Sequence, residues 1–319
     1  MRPLDGLLVV DLARYLPGAF ASRELLRLGA RVVRLEPPSG EALRSAAPAW
    51  DNALNAGKES VICDLKAEPE FGKALVARGD VVLEGFRPGV AARLGVGPDD
   101  APQSTVYCSI TGFGLEGPHA ARAGHDLNYL GWAGVLADTA PSPPPVQVAD
   151  LAAGALTAVN EILAALLLRE RTGRGARIVV SMTHGAHRLA AHRLGGEPIP
   201  RLLTGGLACY RIYATADEEW LTVASLESAF FRRLCELIGR PELAPRQFEP
   251  DQEALADELA EVFAAHPLAT WLELFDREDV CVGPVATLQA AARDFGEETV
   301  GDAPLPGEHT GAWRAELGF

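Results

Sequence analysis

Cysteine is scarce, and what there is does not cluster. The 319 residues hold five (Cys63, Cys108, Cys209, Cys235, Cys281), an odd number at wide spacings. No C-x-x-C pair and no Cys/His group at zinc-ligand spacing occurs, so neither a disulfide framework nor a metal site is supported. Reduced, buried thiols in a cytoplasmic protein are the expectation. Aromatics make up only 7% of the chain, and Ala, Leu, Gly and Val carry the apolar content. Side chains this small suit close packing of helices on a sheet. Positive charge is short as well: 29 Lys and Arg face 43 Asp and Glu, for a formal charge of −14. A broad nucleic-acid footprint is thereby excluded, and an anionic ligand needs a local cationic pocket. No basic stretch followed by an apolar core opens the chain. The most apolar run, 151–168, is interrupted by Asn160 and Glu161 and reads as a buried helix, so no membrane partner is expected.

What is present is a βαβ pattern. LLVVDLA (7–13) is an aliphatic strand buried on both faces, Pro17-Gly18 punctuates, AFASRELLRLGA is a helix ending near Gly29, and RVVRLEP is a second strand. Strand, helix and strand within about 30 residues indicate a parallel sheet. The alternation predicts a helix over 67–78, strands over 80–84 and 105–110, a long helix over 150–171 and a strand over 176–182. The fold class is therefore α/β, a doubly wound, Rossmann-like large domain over 1–194. A linker follows at 195–207, then a smaller α+β domain over 208–290 and a tail over 291–319. The small domain reads as two strands turning at Asp217-Glu218, then helices over 228–239, 253–266 and 268–278 and a short strand, VCVGPVA.

Gly112-Phe113-Gly114-Leu115-Glu116-Gly117 spells G-x-G-x-x-G directly after the strand TVYCSI. A dinucleotide fingerprint places its third glycine inside a helix. Here Pro118 and His119 follow, so the motif is read as a loop that lets backbone approach a ligand. His125 in AGHDLNYL precedes a helix start. Asp150 opens the long apolar helix, where an aspartate ordinarily caps the free N–H groups. Glu227 stands where a small-domain strand meets a helix. Singly, each has a structural explanation. Together, a histidine and a carboxylate can act as opposed acid–base groups if the fold brings them to one cleft.

Several segments resemble class III CoA-transferases. They include the opening LDGLLVVDLARYLPGAFASRELLRLGARVVRLEPPSG, NAGKESVICDLK (55–66), LEGFRPGVAARLGVG (83–97), SITGFGLEGPHAARAGHDLNYLGWAGVL (109–136), RTGRGARIVVSM and PLPGEHTGAWRAELG. G-H-D-x-N-Y is similar to the α-methylacyl-CoA racemase branch. The chain departs from the pattern at Pro37, where relatives often carry arginine, and in a shortened stretch before GEHT.

The resemblance implies an acyl-CoA thioester substrate, with coenzyme A as part of it and no separate cofactor. It also implies an interlocked homodimer whose tail returns to the large domain. It assigns His125 and Asp150 as the two bases, Glu227 as an acid supporting the histidine, and Arg93 as a contact to the CoA phosphates. Arg87, Gly124 and Tyr129, in the same motifs, complete the substrate-binding set. The implied reaction is epimerisation at C2 of an α-substituted acyl-CoA, with backbone N–H groups near Asp150 holding the enolate oxygen. CoA transfer with Asp150 as nucleophile, or acyl-CoA binding without catalysis, are the other readings.

Overall fold

The computed structural model describes residues 1–296 and 301–319. The chain divides into two units, Met1–His192 with Thr299–Phe319, and Arg193–Glu298.

In the first unit β1 (Leu8–Asp11), α1 (Leu16–Arg27) and β2 (Arg31–Glu36) form the expected βαβ unit. Two short helices follow, α2 (Ala42–Ala46) and α3 (Pro48–Asn55), then β3 (Glu59–Ile62), α4 (Pro69–Arg78), β4 (Val81–Glu84), α5 (Val90–Arg93) and β5 (Val106–Thr111). Beyond α6 (Asp126–Trp132) lies the long helix. Its first segment, Ala149–Leu156, is a π-helix, and α7 (Thr157–Thr172) continues it. β6 (Arg177–Ser181) and α8 (Met182–Ala190) close the run.

The six strands form one parallel sheet in the order β3-β2-β1-β4-β5-β6. Alternate strand residues feed cores on its two faces: Val9, Val32, Val81 and Val106 on one, Val10, Val33, Val61 and Val82 on the other. Helices cover both faces, which explains why the strands read as unbroken apolar runs. The sheet is the doubly wound one expected. Strand order reverses between β1 and β4, and in such sheets the cleft opens beyond the carboxyl ends of those strands.

The 149–172 helix is apolar and long enough to cross a membrane by composition, but it packs here as a core helix against α1, α8, β5 and β6. Small residues allow the contact. A Cβ on Gly185 would stand 2.7 Å from the Ala153 carbonyl oxygen, and one on Gly154 would stand 2.9 Å from Met182.

The second unit pairs β7 (Tyr210–Ala214), β8 (Trp220–Ala224) and, later in the chain, β9 (Val282–Pro284) in an antiparallel sheet. The turn joining the first two holds Glu218 at φ 61°. Helices α9 (Ser228–Leu237), α10 (Gln252–Phe263) and α11 (Leu268–Phe275) enclose a separate core around Leu221, Phe231, Leu259 and Trp271. The unit also carries α12 (Leu288–Phe295).

The final helix, α13 (Thr310–Leu317), lies on the first unit beside α4 and β3. Trp313 is buried and donates from its indole to Glu59 at 2.6 Å, with the Arg31 guanidinium 4.5 Å from its ring. The segment ahead of α13 bonds along β3: the His309 amide donates to the Ser60 carbonyl, and the Ile62 amide to Thr310 Oγ1. The sequence reading gave neither β3 nor α13. The Pro/Gly content of the tail hides an eight-residue helix.

Candidate active site

A cavity of about 440 Å³ opens beyond the carboxyl ends of β1, β4 and β5. Loops from these strands line it, with Ala13–Tyr15 after β1, Gly85–Pro88 after β4 and Gly112 after β5. His125, Tyr129 and Asp150 complete the wall.

Buried polar bonds set each loop. After β1, the Ala13 amide donates to Asp11 Oδ1 and Ser22 Oγ to Asp11 Oδ2. Lys58, fully buried, lies 3.7 Å from that carboxylate and donates to the Ala19 carbonyl, Ser22 Oγ and Asn55 Oδ1. Burial pulls its pKa down to about 8, while Asp11 opposes the shift. After β4, the Phe86 amide donates to buried Glu84 at 2.6 Å. After β5, both the amide and the hydroxyl of Thr183 donate to the Gly112 carbonyl.

The glycine-rich loop serves a packing purpose. A Cβ on Gly112 would lie 2.5 Å from the Tyr129 ring, and one on Gly124 would lie 2.7 Å from it. Tyr129 is therefore slotted between two glycines, and its hydroxyl donates to the Gly124 carbonyl. This holds the chain immediately before His125. Gly114 and Gly117 adopt φ of +91° and +95°, and turns rather than a helix follow them. The absence of a helix here, among the described residues, argues against the dinucleotide reading.

His125 stands at the N-cap of α6, where its amide donates to Asn128 Oδ1. Its ring is edge-on to Tyr15, centroids 6.3 Å apart. Asp150 lies in the first turn of the π-helix, and Val148 occupies the cap position. That corrects the view of Asp150 as an N-cap: the chain is already helical one turn earlier, with the Leu151 amide bonded to the Gln147 carbonyl. The Asp150 amide itself donates to Asp126 Oδ1 at 2.9 Å. These two amides thus already have protein acceptors. Burial, and next the Asp126 charge, push the Asp150 pKa up to about 7. π-helical turns recur at functional sites.

His125, Asp150, Arg87, Gly124 and Tyr129 thus line one cavity. Arg93 lines the adjoining groove of about 430 Å³, which shares Arg87. A third cavity, about 480 Å³, lies beside Pro37, Asp64 and Lys66 and shares Arg14 and Phe86 with the first. Glu227 belongs to the second unit, exposed at the N-cap of α9, and its side chain does not cap that helix. Asp126 escaped the sequence reading. Its only signal was its place after His125 in G-H-D, and its role depends on a contact 24 residues away.

Residues 4–299 match the model for CoA-transferase family III. The chain belongs to that family. It is 35% identical over 308 residues to mouse alpha-methylacyl-CoA racemase, covering 90% of this chain and 79% of the relative. It is 34% identical over 322 residues to the acetyl-CoA:oxalate CoA-transferase of Acetobacter aceti, covering 91% and 82%. Among solved structures, a hypothetical protein (Rv3272) of Mycobacterium tuberculosis superposes with TM-score 0.85 at 28% identity, over 98% of this chain and 99% of that one. A CAIB/BAIF family protein from Brucella suis does so with TM-score 0.80 at 30% identity, over 99% of each chain. This family III enzyme therefore has both racemases and CoA-transferases among its relatives.

Proposed function

We propose that the enzyme epimerises C2 of α-substituted acyl-CoA thioesters by proton transfer between His125 and Asp150. The observation that carries this reading is that both groups line one cavity while the Asp150 pKa is raised to about 7. An acid of that strength is present in both protonation states at neutrality, as a reversible proton carrier must be.

The thioester carbonyl acidifies the C2 proton. One base removes it, giving a planar enolate, and the other protonates the opposite face. CoA lies with its phosphates toward Arg93, Arg87 and Lys66, and needs no further cofactor. The proposal includes a cytoplasmic homodimer and, on resemblance alone, Glu227 as the acid supporting His125.

The test is incubation of a single 2-methylacyl-CoA enantiomer in deuterated water. Deuterium entering C2 together with loss of optical purity supports the reading. CoA exchange with a free carboxylate, with no deuterium at C2, overturns it.

A further inference from the structure

Three guanidinium groups line the cavity that holds His125 and Asp150: Arg14, Arg87 and Arg122. Two of them stand on borders. Arg14 also lines the cavity beside Lys66, and buried Glu41 holds its Nε at 3.2 Å. Arg87 also lines the groove of Arg93. Arg122 lines neither neighbour.

Arg122 lies three residues before His125, in a turn closed by its amide on the His119 carbonyl. Its guanidinium carbon is 5.1 Å from the centre of the Trp132 ring. Trp132 in turn packs against His119, ring centres 4.4 Å apart, and meets Phe113 edge-on. Among the described residues Arg122 has no carboxylate partner, although acids outnumber bases 43 to 29 in the chain. A guanidinium lying over an aromatic face keeps its N–H edge open, in the planar fork that matches a carboxylate.

We propose that Arg122 reads a second carboxylate on the acyl group, so that the preferred substrates are monothioesters of dicarboxylic acids. This rests on the reading of the cavity as the place where the acyl-CoA reacts. The CoA phosphates are a poor alternative partner, because the pantetheine arm separates them from the thioester. The cations of the bordering grooves are better placed for them. Pairing with Arg122 also neutralises a carboxylate that would otherwise oppose the negative charge developing at C2.

The test compares two 2-methylacyl-CoA substrates of equal chain length, one ending in a carboxylate and one in a methyl group. For the wild type, kcat/KM for deuterium entry at C2 is expected to favour the carboxylated substrate. Arg122→Gln should reduce the ratio of the two values about 10- to 100-fold, the scale of a lost charge-assisted bond, with Arg122→Lys restoring part of it. Binding of the same two thioesters and of free CoA is measured in parallel by calorimetry. There Arg122→Gln should weaken only the carboxylated thioester, and this result stands even if neither substrate takes up deuterium. Equal weakening of all three ligands assigns Arg122 to CoA and overturns the proposal. So does a wild type indifferent to the carboxylate in both measurements.

Discussion

Asp126 Oδ1 accepts the Asp150 amide at 2.9 Å, so the residue next to the cavity's histidine also fixes the cavity's acid. Asp126 acts on Asp150 twice, through this bond and through its charge, which adds to the effect of burial in raising the Asp150 pKa. Asp126→Asn retains an oxygen acceptor and removes the charge. The pH–rate profile of deuterium entry should show its ascending limb near 7 in the wild type, and the limb should move to lower pH in the variant. An unmoved limb would show that the Asp126 charge does not tune the group that controls the rate.

Asp150→Asn should abolish exchange, since an amide cannot carry the proton, and yet stabilise the fold at alkaline pH. The folded pKa, about 7, lies above the ordinary aspartate value of 3.8. Between these values the folded state binds more protons than the unfolded one, so ionising Asp150 costs stability as pH rises through that window. Removing the charge should raise Tm at pH 8 by about 2–4 °C, equivalent to about 1 kcal/mol in a domain of this size. At pH 4 the gain should vanish. Thermal melts of both proteins at the two pH values check the sign.

Arg93→Ala should weaken acyl-CoA and free CoA alike by about one to two decades, the loss of one charge-assisted phosphate contact, with the fold intact. Isothermal titration with free CoA reads it directly. Undiminished affinity in the folded variant would remove Arg93 and its groove from the site.

Gly124→Ala places a methyl group against the Tyr129 ring, at 2.7 Å before relaxation. Overpacking of this kind costs about 1–3 kcal/mol, and the strain falls one residue from His125. Exchange activity should fall at least tenfold while affinity for free CoA changes little. Urea melts and CoA titrations separate the two effects.

Much of this architecture was legible because the parallel sheet writes itself as aliphatic runs separated by helices. β1, α1, β2 and β4 are recovered nearly in place. Features created by tertiary contact were not legible. The π-helical turn at Asp150 has the same residue types as an ordinary helix start, so the sequence does not distinguish the two. Lys58 looks like a surface lysine. It becomes a buried strut because Asp11 and Ser22, distant in the chain, converge with nearby Asn55 on its ammonium group. Gly112 and Gly124 stood out, but the sequence could not show that Tyr129 fills the space between them. Asp126 lay in a recognised motif, and only the fold revealed what it holds.

β3 is one of the two edge strands of the six-stranded sheet, and such an edge presents unpaired backbone groups to any other chain. Here the Ser60 carbonyl accepts the His309 amide, the Ile62 amide donates to Thr310, and the Gly307 amide donates to Ser60 Oγ. This last stretch of the chain thus acts as a sheath over the β3 edge, nailed in place by Trp313. Its loss by proteolysis would leave every residue of the cavity in the protein, yet the trimmed molecule would be adhesive, prone to join its own kind strand against strand.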